Sequence, residues 1–286
     1  MRVVVLLSVL PAVIGISLLS APVYGELSAA STGRQVMDAV YERHQQYPYV
    51  YEEQSMVLID RQGQRETRTL RRYSRAEATG DVNFLLLFDS PGEVEGVAML
   101  AKREADGTVS QSVYLPAFGG SFVKSGGECN VACGDNFLGT DFTIESLTGE
   151  VLDDYEHVRQ TDLYMGDVEY YVVDVHLPDE GLPLRRHYVL KDSLYVSRTD
   201  HLDDLGRVRK RQTHHDLSPV HGDMWRANMM LMENHQDDHR TVIKIDRRVF
   251  SADYVPPQVF TRDWLLKNQP PLLRDEEFME DEEVAP

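Results

Sequence analysis

Cysteine is nearly absent from the chain: two in 286 residues, too few for a disulfide-dense scaffold or a four-cysteine zinc site. Positive charge is short as well. Lys and Arg number 29 against 47 Asp and Glu, a formal net charge of -18, and no basic stripe breaks the acidic balance. A protein that neutralises phosphates needs the opposite surplus, which excludes a nucleic-acid partner. After residue 19 no apolar run is long enough to cross a bilayer. Internal repeats, heptads and low-complexity linkers are missing too, so nothing cuts the chain into modules, and roughly 250 to 300 residues can fold around one core. An apolar share of 42% beside 27% charged residues is that of a globular protein and excludes wholesale disorder.

Catalytic signatures are lacking. There is no Gly-x-Ser-x-Gly elbow, no phosphate-binding glycine loop and no His-Glu-x-x-His. Ser121-Phe122-Val123-Lys124 and Lys124-Ser125-Gly126 match fragments of serine acyl-enzymes, but they overlap, whereas that mechanism needs one on a helix and the other on a distant strand. The paired acids Asp153-Asp154 and Asp203-Asp204 read as solvated turns. Two groups have metal-binding residue types: His214-His215 with His221, and His235 with Asp237, Asp238 and His239. Adjacent histidines on a strand point to opposite faces, and the second group falls in an expected turn between Met232 and Thr241, where polar residues belong. The sequence thus calls for no catalytic residue, no metal and no cofactor.

What is present begins with an export signal. Met1-Arg2 is a minimal positive start, residues 3–19 are apolar but for Ser8, Pro11, Gly15 and Ser17, and Ala21-Pro22-Val23-Tyr24-Gly25 supplies small residues for a signal peptidase. Residues 1–25 are expected to be removed, with cleavage after Ala30 as the second choice. No cysteine lies near the cut, so no N-terminal lipid is expected, and the product is a soluble, exported protein. Cys129 and Cys133 enclose Asn130-Val131-Ala132 in a glycine-rich loop, and an oxidising compartment favours their pairing. So short a loop gains only local stiffening from the bond.

From residue 50 the dominant period is two. Phe84, Leu86 and Phe88 alternate with Leu85 and Leu87, Val113 and Leu115 flank Tyr114, and Tyr171, Val173 and Val175 alternate with Val172, Asp174 and His176. Turn residues recur between such runs, as in Asp60-Arg61-Gln62-Gly63, Ser90-Pro91-Gly92, Met165-Gly166-Asp167 and Asp203-Asp204-Leu205-Gly206. The pattern is a meander of antiparallel strands. Helices are expected only at the margins: 31–46 behind a Ser31/Thr32 cap, 141–152, and 261–267 behind Thr261. The acidic stretch 274–286 reads as a solvated tail.

The chain has more apolar surface than one sheet face needs. Four of the ten methionines fall in 224–232, with apolar side chains in both phases from Met229 to Met232, and Phe84–Phe88 is apolar in both phases too. Methionine adapts to irregular apolar partners, so a sheet curved around a lumen for acyl chains explains both segments, as does ordinary sandwich packing. By alternation the candidate lining is Phe84, Leu86, Phe88, Met99, Tyr114, Trp225, Met229 and Leu231. A slip of one residue would invert any of these.

The order of fragments is specific. Phe84-Leu-Leu-Leu-Phe-Asp-Ser-Pro91 is followed by Gly96-Val-Ala-Met-Leu100, Val113-Tyr-Leu-Pro116 and Phe137-Leu-Gly-Thr-Asp-Phe142 with Glu145 and Leu147. Later come Trp225 near Met229, Arg240-Thr241 opening a strand, and Phe260-Thr261 with Leu265. Over most of residues 50–266 this resembles the outer-membrane lipoprotein-sorting, LolA-like proteins. The chain departs from them between Pro116 and Phe137, where they carry several arginines and it has Phe118 to Lys124 and the cysteine loop. The resemblance implies a mainly β fold with a few helices, an incomplete antiparallel β-barrel with a helical lid, spanning residues 26–273. It implies a periplasmic, non-enzymatic carrier of lipid or acylated protein, touching membranes transiently and working beside an inner-membrane RND-type transporter. A different class of function is an interaction subunit of such a transporter with no lipid cargo. The third is an exported hydrolase or metal enzyme, for which His214, His215 or His221 would be essential.

Overall fold

The computed structural model describes residues 27–45, 47–106, 108–116, 121–124, 137–179 and 181–267. The expected signal peptide, the loop of Cys129 and Cys133, and the acidic tail lie outside the described residues.

Fourteen strands form one antiparallel sheet among the described residues. The first six are β1 (Tyr49–Ile59), β2 (Arg65–Ala76), β3 (Val82–Ser90), β4 (Ala98–Arg103), β5 (Val109–Leu115) and β6 (Ser121–Lys124). The others are β7 (Glu156–Arg159), β8 (Leu163–Met165), β9 (Val168–His176), β10 (Arg185–Leu190), β11 (Val196–Leu202), β12 (Val208–His221), β13 (Met224–Asn234) and β14 (His239–Val249). Laterally they run β6-β5-β4-β3-β2-β1-β14-β13-β12-β11-β10-β9-β7, and β8 also pairs with β9. Two meanders therefore meet in the middle, where β1 pairs with β14 from Tyr51 opposite Val249 to Ile59 opposite Arg240. The sheet stays open at β6 and β7 and forms a half-barrel, as the resemblance implied. Those two edges are consecutive in sequence, and of the chain that joins them residues 137–155 are described.

The three expected helices are present, each shorter than the sequence suggested. Helix α1 spans Gly33–His44, and of the two candidate caps Thr32 is the one used: its hydroxyl accepts from the Gln35 amide at 3.2 Å while the Gln35 side chain accepts from the Thr32 amide at 2.8 Å. Helix α2 is confined to Ile144–Thr148 between the Thr143 cap and Gly149, whose positive φ of 89° ends it. Helix α3 spans Arg262–Lys267 and starts at Thr261, whose hydroxyl accepts from the Trp264 amide.

Strand β3 is apolar in both phases because both of its faces are covered. Phe84, Leu86 and Phe88 join Met56, Leu70, Met99, Met232, Ile243 and the fully enclosed Phe142 on one side, termed the inner face. Leu85 and Leu87 join Tyr51, Tyr73 and Ala98 on the outer face, under Val255, Val259 and Leu265 of the C-terminal segment. Fully burying one such Leu or Phe contributes about 1.5–3 kcal/mol, so the doubly covered strand is a principal anchor of the fold. Helix α1 buries Val36, Met37 and Val40 against Tyr171, Val173 and Val189 of β9 and β10. Gly33 permits the approach of its first turn: a Cβ there would stand 2.5 Å from the His157 carbonyl oxygen of β7.

Candidate functional site

The connection between the sheet edges lies across the inner face and is pinned there by polar groups from both meanders. Arg68 of β2 donates to the Leu138 carbonyl at 2.8 Å. Asp141, 2% exposed, reaches the other meander: its carboxylate accepts from Thr241 at 2.8 Å, Asn234 at 3.1 Å and His239 at 2.5 Å, and its carbonyl accepts from the Lys210 ammonium at 3.0 Å. The next residue, Phe142, plugs the inner core. Further along, Glu145 and Glu150 both engage the buried guanidinium of Arg185, at 2.8 Å each, and Glu150 also lies 3.1 Å from His157 and 3.3 Å from His187. Burial by itself would raise the Glu150 carboxyl, but the charges and hydrogen bonds of His187, Arg185 and His157 outweigh it and hold the group well below the usual carboxylate range. Within the second anchorage, between Glu145 and Glu150, the main chain is held by two long hydrogen bonds, Arg72 to the Leu147 carbonyl at 3.5 Å and Arg103 to the Gly149 carbonyl at 3.4 Å, while the Leu147 side chain packs against the inner core.

Three neighbouring cavities lie along the inner face beneath this strap and α1. The first, about 270 Å³, has an apolar wall that includes Phe84, Leu147, Met230 and Ile243. The second, about 290 Å³, shares His44, Tyr195 and Arg226 with the first and adds Val40, Tyr41, Val196 and His214. The third, about 250 Å³, shares Tyr41, Val196 and His214 with the second and is bounded by Met37, Glu150, Arg185, His187 and His201. Each is small for a ligand of drug size, for which pockets of roughly 300–1,000 Å³ are usual, whereas the row offers an elongated space.

The wall of the first cavity is charged as well as apolar. Glu52, 4% exposed, accepts from Arg248 at 2.6 Å and from Arg72 at 3.1 Å, and takes a third bond from Gln54 at 2.7 Å. Burial pushes the Glu52 carboxyl up, and the two guanidiniums overcome this and bring it below its ordinary value. Among the described residues Arg226 bonds only to main-chain carbonyls, those of Trp225 and His44. His44 closes α1 onto the sheet: Nε2 lies 3.2 Å from the Ser193 and Leu194 carbonyls while Nδ1 accepts from the Trp225 amide at 3.2 Å, which fixes a neutral ring protonated at Nε2. Burial, with Arg226 close by, pushes this imidazole down to about 4.

Of the residues expected from alternation to line a lumen, Phe84, Leu86, Phe88 and Met99 share the inner face, and Phe84 borders the first cavity. Tyr114 lies instead in the outer cluster, because its cross-strand partner is Ala98, which faces outward, whereas Met99 opposite Val113 faces inward. Trp225, Met229 and Leu231 alternate with Arg226, Met230 and Met232, and it is the latter three that face inward. The segment is apolar in both phases, so the phase is set only by its pairing with β14, where Ile243 is buried and Lys244 exposed. Sequence reasoning missed the charged residues of the wall. Their signal was the same alternation: Glu52 is in phase with Met56 and Leu58, Arg72 with Leu70, and Arg226 with Met230 and Met232. The two histidine groups are also placed. His214 faces the cavities and His215 is exposed, while His239 is committed to Asp141.

An uncharacterized protein family matches residues 80–267, more than half of the chain, from the turn before β3 to the end of α3. The chain belongs to that family. No curated protein matches it in sequence. Among solved structures, a domain described as an outer membrane lipoprotein-sorting protein from Vibrio parahaemolyticus is similar, with a TM-score of 0.74 at 21% identity, over 82% of this chain and 97% of that one. A DUF1329 family protein from Desulfovibrio piger gives 0.72 at 20% identity over the same shares, and a LolA superfamily protein from Nitrosomonas europaea gives 0.64 at 14% over 82% and 100%. At these identities the likeness establishes the fold: this family member has the LolA-like open half-barrel.

Proposed function

We propose that the protein is a periplasmic, non-enzymatic carrier that shelters acyl chains of lipid or acylated protein against the inner face of the sheet and moves them towards the outer membrane. The observation that carries this reading is the row of cavities under α1 and the strap, with Phe84, Met230, Ile243, Val40 and Val196 in its walls. Each buried methylene contributes about 0.8 kcal/mol, so even part of two chains binds firmly. Loading needs a movable cover, and the stretch around Leu147 and Gly149, held by two long hydrogen bonds, is the part of the strap that can shift while Asp141, Glu145 and Glu150 keep their partners. In this reading residues 1–25 are cleaved, 26–273 form the carrier domain, 274–286 are a solvated tail, and Cys129 pairs with Cys133. The donor of the cargo is an inner-membrane transporter of the RND type, in line with the resemblance of the sequence.

The test is to purify the protein from its own envelope, extract it with organic solvent and identify the extract by mass spectrometry. Stoichiometric lipid or acylated peptide is expected. An empty extract, together with no uptake of a fluorescent fatty acid by the delipidated protein, refutes the carrier and favours an interaction subunit. For that role the apolar β7–β9 edge is available, where Tyr164 is 61% and Met165 46% exposed.

A further inference from the structure

The first cavity has a charge that an acyl chain does not explain. Its lining contains four arginines, Arg72, Arg103, Arg226 and Arg248, one carboxylate, Glu52, and no other acid or lysine. The wall therefore carries a net charge of +3 (four minus one) inside a protein whose overall charge is -18. Glu52 is shared between Arg72 and Arg248, one oxygen to each. Arg226 has no carboxylate within salt-bridge distance among the described residues, and its partners are two neutral carbonyls. One of them belongs to His44, the last residue of α1, so the negative end of the helix holds the guanidinium in place without neutralising it. His44 itself is neutral and offers no counter-charge. Arg226 is half-buried, and a charge partly withdrawn from water is costly unless it is paired, so an anion entering the cavity would complete it. Arginine is suited to this: its planar fork matches the oxyanions of phosphate and carboxylate.

We propose that Arg226, assisted by Arg248 and Arg72, forms an oxyanion subsite, and that the ligand of the cavity row is an anionic amphiphile whose phosphate or carboxylate head sits at these guanidiniums. The site rests on the carrier reading above and narrows it. The head at Arg226 stands where the first two cavities meet, so acyl chains extend on one side past Phe84, Met230 and Ile243 and on the other beneath α1 past Val40 and Val196. The acidic exterior keeps the same anionic lipids from adhering outside the cavity.

The delipidated protein, loaded with a fluorescent fatty acid, is titrated with dioctanoyl phosphatidic acid, with dioctanoylglycerol, which has the same chains and no charge, and with inorganic phosphate. The phosphatidic acid is expected to displace the probe at a concentration about tenfold or more below that of the diacylglycerol, a gap that narrows as salt is raised. In Arg226→Met the gap closes while diacylglycerol affinity is kept, Arg226→Lys restores part of it, and the exposed Arg240→Gln leaves it unchanged. Unequal melting temperatures would expose a folding defect, and the Lys variant then carries the comparison. Equal affinity for the two lipids in the unaltered protein overturns the subsite and leaves the carrier standing. Displacement by inorganic phosphate as strong as by phosphatidic acid overturns the amphiphile. No binding of any lipid overturns both.

Discussion

The carboxylate of Asp141 accepts a hydrogen bond from the Thr241 hydroxyl at 2.8 Å, and that hydroxyl accepts in turn from the Asp141 amide at 3.0 Å, across 100 residues of sequence. This reciprocal pair sews the strap to β14, and Thr241, 0% exposed, has no water to replace it. Asp141→Ala leaves Asn234, His239 and Thr241 short of an acceptor and is expected to cost about 2–4 kcal/mol. Thr241→Val is expected to cost less, about 1–2 kcal/mol. Denaturant unfolding of the two single variants and the double variant checks the coupling. If the effects simply add, the two residues are not a unit.

Gly33→Ala reverses the usual expectation for a helix. Alanine in place of glycine favours a helix by about 1 kcal/mol, but here the new methyl would meet the main chain of β7, at 2.5 Å from the His157 carbonyl oxygen and 2.7 Å from the Arg159 nitrogen. A strand backbone cannot step aside as a side chain can, so α1 must tilt away. The expected result is a loss of about 1–3 kcal/mol and a lower melting temperature. A gain in stability would show that α1 does not dock on β7.

Glu150→Gln removes the negative charge that His187, Arg185 and His157 converge on. Arg185 keeps Glu145 as a partner, so the expected cost is at the lower end for a broken buried ion pair, about 3 kcal/mol. Hydrogen exchange gives a sharper readout, because the amides near residue 150 should lose protection before those at Asp141 and Phe142 do. Uniform loss across the strap would mean that its two anchorages are a single cooperative unit.

Stability should fall on acidification below neutrality. Burial pushes His44 and His214 down from 6.5 to about 4 and His201 to about 3, with Arg185 and His187 adding to the effect on His201. Between pH 6.5 and about 4 the unfolded chain therefore binds protons that the folded chain refuses, and each such histidine subtracts on the order of 1–3 kcal/mol as pH drops through that window. Glu52 and Glu150, whose carboxyls are depressed, protect the fold above about 4.5 and stop doing so as the pH falls further. The Nε2 atom of His201 is buried with no hydrogen-bond partner among the described residues, so His201→Leu should be close to neutral at pH 7.5 and stabilising at pH 5. Melting temperatures at the two pH values test this, and an unchanged slope would show that His201 does not titrate across unfolding.

Much of the fold is written in local sequence. Alternation marked β3, β5 and β9, turn residues marked the hairpin ends, and the Thr32 and Thr261 caps marked α1 and α3, because each of these signals is a contact made within a few residues. The fragment Phe137 to Phe142 was legible as a resemblance, and its physical content is the Asp141 anchorage and the Phe142 plug. The candidate site was legible in part. The even positions of β3 were in phase with the inner face, whereas the run from Met229 to Met232 offers apolar side chains to both faces, and no local rule separates Met230 from Met229.

Composition and periodicity were enough to require an acidic, antiparallel β protein, since these follow from counts and from neighbours along the chain. Which face each strand buries, and which charges share a wall, are properties of strand pairing. Glu52 meets Arg248 across 196 residues only because β1 pairs with β14, and Arg226 meets them only because β13 is the next strand. Such contacts depend on register between distant segments, and a shift of one residue would turn the arginines outward and leave the cavity apolar.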